Sequence, residues 1–309
     1  MKKLLLALRT LVCTLLIVIL AVLVFAVNAI LPAYDRMVNS LMNGFDRKVN
    51  NAGLDTEGLD LEYNKADYTA ETITAAEDEL ADQIAAEGLV LLKNENNALP
   101  LAADTTASLV SSHTAGLMVG AGMLGGGVPL TQCFADAGLA INQTLVDFHE
   151  NGAGSGYTLG SGSISFGDAE DFRINECPLS VMQSTEGVLE SMEGTVPVFV
   201  FSRVAGEGRD MPRSMYNHAD SEEDKARSYI EPDSTELEIL QYLNDNFDNV
   251  VLVVNSTAAM ELDWLEQFPN IRSVIFAPDG LQALPGVLTG SINPSGRTVD
   301  TFAADALAS

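Results

Sequence analysis

The run from Pro197 to Asp210, PVFVFSRVAGEGRD, is the part of the sequence that points most clearly to chemistry. Its first half is a continuous apolar, β-branched and aromatic segment, which is typical of a strand buried on both faces. A loop follows at once and places Glu207 between Gly206 and Gly208. Two flanking glycines let the backbone turn sharply and leave the carboxyl group projecting, with room for a ligand. That placement suits a general acid; the alternative is a solvated surface glutamate.

A second pair, Asp263-Trp264, is also a candidate, because Asp-Trp occurs at nucleophile sites of some glycosidases. Its surroundings, MELDWLEQF, instead predict a short amphipathic helix with Trp264 and Leu265 facing the core. We therefore interpret this pair as structural.

The loop Gly120-Ala-Gly-Met-Leu-Gly125 fits the G-x-G-x-x-G pattern of dinucleotide sites. That pattern needs a strand before it, a helix that opens at the third glycine, and an acidic residue at the end of the next strand. Here Pro129 delays the helix, and the next apolar run ends at Asn142. A nucleotide-binding α/β protein is thus the weakest functional hypothesis, which a calorimetric titration with NAD or ATP would test.

Metal and cofactor chemistry is not indicated. The sequence has no C-x-x-C motif, and Cys133 and Cys177 could pair only if the fold brings them together. The histidines lack ligand spacing, and we interpret them as ordinary surface or core residues: His113, His149 and His218. We expect no cofactor.

The balance of charge excludes two classes of partner. The formal net charge is −27 over 309 residues. Nucleic acid requires clustered Lys and Arg, and broad adsorption to anionic lipid requires a basic surface. A neutral substrate such as a sugar is compatible with this charge, although most of these carboxylates serve solubility.

The N-terminus carries the pattern of a membrane segment. A positive flank, residues 1–9, precedes an uncharged apolar run from Thr10 to Leu31. That run is long enough to cross a bilayer, and the positive flank should remain cytoplasmic. The alternative is a cleaved signal peptide, with Val27 and Ala29 as small residues before the cut. Both predict export of the globular part, and the first predicts a single-pass protein of the cell membrane with an extracellular domain.

Beyond the apolar run we expect a tether over residues 32–73 and one globular domain over residues 74–309. Leu80, Ile84 and Leu91 predict one face of a helix from Thr74 to Leu92. A second helix, Thr235–Phe247, has a capping box formed by Thr235 and Glu238. The predicted strands alternate with helical patterns: Ser108–Val110, Leu139–Ile141, Val196–Phe201, Val250–Asn255 and Ser273–Phe276.

This alternation predicts an α/β fold with a mostly parallel sheet covered by helices on both faces. Ligands of such sheets bind at the carboxyl ends of the strands. The glycine- and serine-rich residues 151–170 are expected to form a surface loop.

Four segments in order resemble the C-terminal domain of glycoside hydrolase family 3. EGLVLLKNE with ALPL resembles the entry to that domain, and SRVAGEGRD resembles its acid/base loop. VVLVVNS with MELDW resembles its later strand and helix, and GSINPSGRTVDTF resembles its closing signature. These segments are Glu87–Glu95 with Ala98–Leu101, Ser202–Asp210, Val250–Ser256 with Met260–Trp264, and Gly290–Phe302.

The resemblance implies a three-layer α/β/α sandwich with a six-stranded sheet. It also implies a retaining β-glycosidase, often a β-glucosidase or β-xylosidase, that acts on an oligosaccharide or β-glycoside. It implies that Glu207 is the acid/base and that Arg209 and Asp210 orient it or the substrate. The nucleophile of the family is an Asp from a separate (β/α)8-type barrel, which this chain lacks. Some relatives have the two domains in reversed order, so we expect the barrel after Ser309 and expect the chain alone to be inactive.

The sequence departs from the family at two loops: Val110-Ser-Ser-His replaces a strand that leads into a glycine turn, and Pro278-Asp-Gly-Leu is a reduced form of a glycine-rich loop. A second functional hypothesis is a non-catalytic, membrane-anchored domain that binds glycan or protein. The reading frame after Ser309 would separate the two hypotheses.

Overall fold

The computed structural model describes residues 2–43, 69–120, 127–160, 171–205 and 210–304. The chain divides into two compact units, Met1–Asp67 and Tyr68–Ser309. Each unit is described by itself.

The first unit contains the helix α1, Lys2–Asn43. Within it the 20 residues Leu8–Val27 have a mean hydropathy of 3.1 and are long and apolar enough to cross a membrane. We expected an irregular tether from residue 32, but the helix continues through Pro32 to Asn43. A proline removes one backbone hydrogen bond and can kink a helix without ending it.

The second unit is a three-layer α/β/α sandwich. Its main sheet has six strands in the order β1-β8-β7-β6-β2-β5, and β3 with β4 forms a separate two-stranded hairpin. The strands are β1 Val90–Asn94, β2 Thr106–Leu109, β3 Met118–Val119, β4 Val128–Pro129, β5 Ala140–Ile141, β6 Val196–Ser202, β7 Val250–Asn255 and β8 Ile271–Phe276. The helices are α2 Ala70–Gly88, α3 Leu130–Asp136, α4 Gln143–Asn151, α5 Leu179–Ser184, α6 Glu222–Lys225, α7 Ser234–Asn246 and α8 Leu284–Thr289.

Five strands of the main sheet are parallel, and β1 pairs antiparallel with β8 at one edge. Successive side chains of a strand point to opposite faces. Val198, Val200 and Val253 therefore belong to one hydrophobic cluster, while Phe199 and Phe201 belong to the other. All five are fully buried, as expected for a parallel sheet covered on both sides. The five strands predicted from apolar runs are thereby confirmed, with small shifts at their ends.

Helices α2, α3 and α8 cover the first face, and α4, α5 and α7 cover the second. Cys133 packs in the first cluster and Cys177 in the second. Because the sheet separates them, the pairing left open by the sequence does not form, and both thiols are free. Burial and the nearby carboxylate of Glu176 raise the pKa of Cys177 to about 12, so it remains a neutral thiol.

The helix predicted over Thr74–Leu92 is displaced. Helix α2 ends at Gly88, and Leu91 lies in β1, a strand that the sequence pattern did not reveal. Leu80 and Ile84 are 55% and 63% exposed, so the predicted apolar stripe is wrong. The buried side is marked instead by Ala85, where only a small side chain fits against the backbone of Gly280.

The capping box predicted for the helix Thr235–Phe247, which corresponds to α7, is also wrong by two residues. The box is formed by Asp233 and Glu236, which exchange side-chain and backbone hydrogen bonds at the start of α7. Both pairs have the required i, i+3 spacing, so the sequence alone does not choose between them. The structure favours the earlier pair, in which Glu236 is also engaged by a buried arginine.

Candidate active site at the carboxyl ends of the strands

The carboxyl ends of β6, β7 and β8 are tied together by one side chain. Asn255, the last residue of β7, donates from Nδ2 to the carbonyl of Ala277 at 2.8 Å and accepts from Ser202 Oγ at 3.3 Å. Its own carbonyl accepts from the backbone N–H of Arg203 at 3.1 Å. The loop that contains the predicted acid/base therefore leaves the sheet at a fixed point.

Arg203 begins that loop, and its guanidinium is completely buried. It forms a two-pronged ion pair with Glu236, from Nη1 to Oε1 at 2.9 Å and from Nη2 to Oε2 at 2.7 Å. It lies 4.3 Å from the centre of the Phe201 ring. Burial lowers the pKa of Arg203, but the facing carboxylate of Glu236 outweighs burial and raises it overall. The side chain is therefore a permanent buried cation.

Asp233 lies beside this pair, at the N-cap of α7. Its Oδ1 accepts from the backbone N–H of Glu236 at 2.8 Å. Burial and the charge of Glu236 raise the pKa of Asp233 to about 7, against the pull of Arg203 and of the helix N–H group. Asp233 consequently titrates near neutral pH.

The structure places the predicted site residues unequally. Glu207 and Arg209 lie outside the described residues, while Asp210 is described and exposed. The flanks of the loop are defined: Val204 and Met211 both pack against a small hydrophobic cluster. That cluster is formed by Phe172, Ile174, Met215 and Tyr229.

The loop after β2 holds a polar network that the sequence did not reveal. Glu176 is buried and accepts from Ser111 Oγ at 2.6 Å and from the backbone N–H groups of Ser112 and Cys177, each at 2.8 Å. His113 Nδ1 lies 3.7 Å from Glu176 Oε2. Burial raises the pKa of Glu176, but His113 and the hydrogen-bond donors outweigh it, so the pKa is lowered. The segment Val110-Ser-Ser-His, which departs from the family, thus supplies hydrogen-bond donors to the buried carboxylate of Glu176. The sequence did not indicate this contact because Glu176 lies about 65 positions further along the chain.

His149 reinforces the same loop, since its Nε2 lies 3.0 Å from the carbonyl of Val110. Burial lowers the pKa of His149, which opposes a charge there. The expectation of ordinary roles agrees with the buried positions of His113 and His149 and the half-buried position of His218. Across the described ranges, no three His, Cys, Asp or Glu side chains are grouped to hold a metal ion.

A cavity of about 150 Å³ lies between residues 172–178, residues 215–220 and the start of α7. Phe172, Asn175, His218, Glu176 and Asp233 are among the residues that line it. A space of this size could hold a small polar group.

The two other candidates from the sequence are the pair Asp263-Trp264 and the loop Gly120–Gly125. Trp264 is 6% exposed, donates from Nε1 to the carbonyl of Glu261 at 2.7 Å, and packs edge to face on Phe201. The structural interpretation of Asp263-Trp264 is therefore confirmed, and Asp263 faces solvent. The loop Gly120–Gly125 lies outside the described residues except for Gly120, and its flanks are the antiparallel strands β3 and β4. A strand on each side is not the strand–loop–helix of a dinucleotide site.

Comparison with known proteins agrees with this architecture. The model of the glycosyl hydrolase family 3 C-terminal domain matches residues 89–308. β-Glucosidase A of Butyrivibrio fibrisolvens is 26% identical over 261 residues, which cover 76% of this chain and 30% of that protein. Thermostable β-glucosidase B of Acetivibrio thermocellus is 24% identical over 227 residues, 72% of this chain and 26% of that protein. The chain thus spans less than a third of these two relatives.

Solved structures share the fold. A β-glucosidase from Paenibacillus barengoltzii superimposes with a TM-score of 0.55 at 23% identity, over 74% of this chain and 24% of that chain. β-Glucosidase 3B from Thermotoga neapolitana, solved in complex with α-D-glucose, gives a TM-score of 0.55 at 21% identity, over 79% and 33%. The family match extends over most of the sandwich, from β1 onward, and the chain therefore belongs to glycoside hydrolase family 3, of which it carries the C-terminal domain.

Proposed function

We propose that this domain supplies the general acid/base of a retaining β-glycosidase of the β-glucosidase type, and that Glu207 is that residue. The observation that supports the proposal best is the position of the loop. It leaves β6 at the carboxyl edge of a parallel sheet, where α/β proteins bind ligands, and its described flanks are anchored in a core.

Retaining hydrolysis needs two carboxyl groups about 5 Å apart. One is a nucleophile that forms a glycosyl-enzyme intermediate; the other protonates the departing oxygen and then deprotonates the incoming water. The proton donor must remain protonated near neutral pH, which burial beneath a bound sugar can arrange. In this account Glu207 is the donor, and Arg209 and Asp210 orient it or the substrate.

The nucleophile would come from a (β/α)8-type barrel that works together with this domain. A general acid without its nucleophile supplies only part of the reduction in the barrier. We therefore expect no turnover by the sandwich domain on its own and turnover when a barrel completes the site.

We also propose that α1 anchors the protein in the cell membrane with the sandwich outside. The support is the apolar stretch Leu8–Val27 and the positive residues before it. A cleaved signal would export the same domain without anchoring it.

The test is the leaving-group dependence of kcat/KM for Glu207→Ala, measured with the domain and its barrel together. Glycosides with alkyl or sugar leaving groups should lose about 10²–10⁴-fold, because they need protonation. Aryl glycosides with acidic phenols should lose far less.

Glu186→Ala is the matched control, since Glu186 is an exposed loop glutamate that also precedes a glycine. It should leave both substrate classes unchanged. Equal and small losses on both classes for Glu207→Ala would refute the assignment.

A further inference from the structure

The connection between β6 and α7 returns to the point where it starts. It leaves the sheet at Arg203, passes through residues 204–228, and comes back along Tyr229 and Glu231 before α7 begins. Glu207 and Asp210 belong to this connection. Whatever holds its two ends together also determines where the loop stands relative to the sheet.

The Arg203 guanidinium joins those two ends. Its Nε donates to the carbonyl of Tyr229 at 2.6 Å, and its Nη2 donates to the carbonyl of Glu231. Its Nη1 donates back to the carbonyl of Ser202, the last residue of β6, at 2.8 Å. With the two bonds to Glu236, all five N–H groups of the guanidinium have acceptors.

The arrangement has little freedom to adjust. The side chains of Arg203 and Glu236 are both completely buried, and the guanidinium is packed on Phe201 and near Tyr229. A planar fork of five donors fits this set of acceptors, whereas the three donors of a lysine ammonium cannot reach all of them at once. Arg→Lys therefore keeps the charge and loses the geometry.

Resting on the proposed function, we infer that Arg203 is a positioning residue for the acid/base: its guanidinium holds together the two described ends of the 204–228 connection, and proton transfer by Glu207 depends on that junction. Glu207 is only four residues further along the chain. A small shift at that junction is transmitted to the carboxyl group over at most about 14 Å of backbone. Misplacement of a catalytic group by about 1 Å can cost about 100-fold in rate.

The experiment compares Arg203→Lys with Arg173→Lys in the domain combined with its barrel. Arg173 is the matched control because it forms a two-pronged pair with Asp171 outside the connection. For Arg203→Lys we expect kcat/KM on glycosides with poor leaving groups to fall about 10- to 100-fold, with less than about 3-fold loss of kcat/KM on activated aryl glycosides, whose leaving groups need little protonation. Arg173→Lys should change neither.

A purely structural role would lower the amount of folded enzyme and reduce both substrate classes equally. That result, with folded protein quantified by circular dichroism, would overturn the inference. Glu207→Ala serves as the reference in the same series. If Glu207→Ala shows no leaving-group dependence, the proposed function is wrong. If Glu207→Ala shows that dependence and Arg203→Lys does not, only the positioning role of Arg203 is wrong.

Glu236→Gln gives a second route if Arg203→Lys does not fold. It removes the ion pair and retains a side-chain acceptor toward the guanidinium. We expect the same selective loss on poor leaving groups, and faster hydrogen–deuterium exchange across residues 204–228 than across β7. Unchanged exchange together with equal losses on both substrate classes would overturn the inference.

Discussion

At the scale of single residues, the candidate site contains buried charges whose partners lie far away in sequence. Glu207 is a prediction from the glycines and the strand that mark its loop, and Asp210 is a prediction from the resemblance to the family. Arg203 stands in the same motif, yet its partner Glu236 lies 33 positions away. Glu176 lies 65 positions from Ser111. No local pattern indicates such pairs, because only the packing of the helix layer on the sheet brings them together.

Asp233 gives a test of this charge network. Its pKa is about 7 in the folded protein and near 3.8 when unfolded. A raised carboxyl pKa favours the folded state at low pH, and that contribution is lost as pH rises through about 7. Asp233→Asn keeps the cap and removes the charge. The free energy of unfolding of Asp233→Asn relative to wild type should therefore rise by about 1–4 kcal/mol between about pH 4 and pH 8.

Urea unfolding across that pH range measures the effect, with Asp263→Asn as the control at an exposed position. The control should follow wild type throughout. Parallel curves for Asp233→Asn and wild type would show that Asp233 does not titrate as described.

At the scale of secondary structure, the buried parallel strands were predictable because continuous apolar runs identify them. Two predictions, the buried face of α2 and the end of that helix, were wrong because both relied on hydrophobic periodicity. In α2 the large apolar side chains face outward, and the buried contact is made by Ala85 against the main chain of Gly280, so hydrophobic periodicity pointed to the wrong face. Strand β1 follows α2 after one residue and was absorbed into the helix pattern. The loop Pro278-Asp-Gly-Leu, a departure from the family, is therefore where α2 packs.

Gly280→Ala tests that contact. Gly280 has φ +81°, and an added Cβ would lie 2.9 Å from Ala85 Cα. The backbone atoms of α2 cannot move aside like a flexible side chain. We expect a loss of about 2–4 kcal/mol in unfolding free energy, from left-handed strain and overpacking together.

Gly187→Ala is the control, since Gly187 also has φ +81° but its added Cβ would meet nothing within 4 Å. It should cost only about 1–2 kcal/mol for the strain. Equal losses in the two variants would contradict the packing described for α2.

At the scale of the whole molecule, the chain combines an apolar helix with a strongly acidic sandwich. The net charge of −27 opposes attraction to anionic surfaces, so the proposed anchor relies on burial of α1 in the membrane and not on charge. The sequence predicted the apolar segment well, because length and composition suffice to identify it. The end of the helix was not predictable, because Pro32 normally indicates termination.

A flotation assay tests the anchor. The full chain should float with neutral phosphatidylcholine vesicles and remain bound in about 1 M NaCl, where charge interactions are screened. A variant that lacks residues 1–43 should stay in the soluble fraction and keep the thermal unfolding of the sandwich. Release of the full chain by salt, or equal flotation of both proteins, would contradict an apolar anchor.

The most direct test of the central claim is chemical rescue of Glu207→Ala by azide, again with the barrel present. In a retaining enzyme without its acid/base, the glycosyl-enzyme formed from an activated aryl glycoside has no base to deprotonate water. Azide needs no deprotonation and should attack that intermediate, which restores turnover and yields a β-glycosyl azide of retained configuration. An absence of rescue, or a glycosyl azide of inverted configuration, would contradict the assignment of Glu207 as the acid/base of a retaining β-glycosidase.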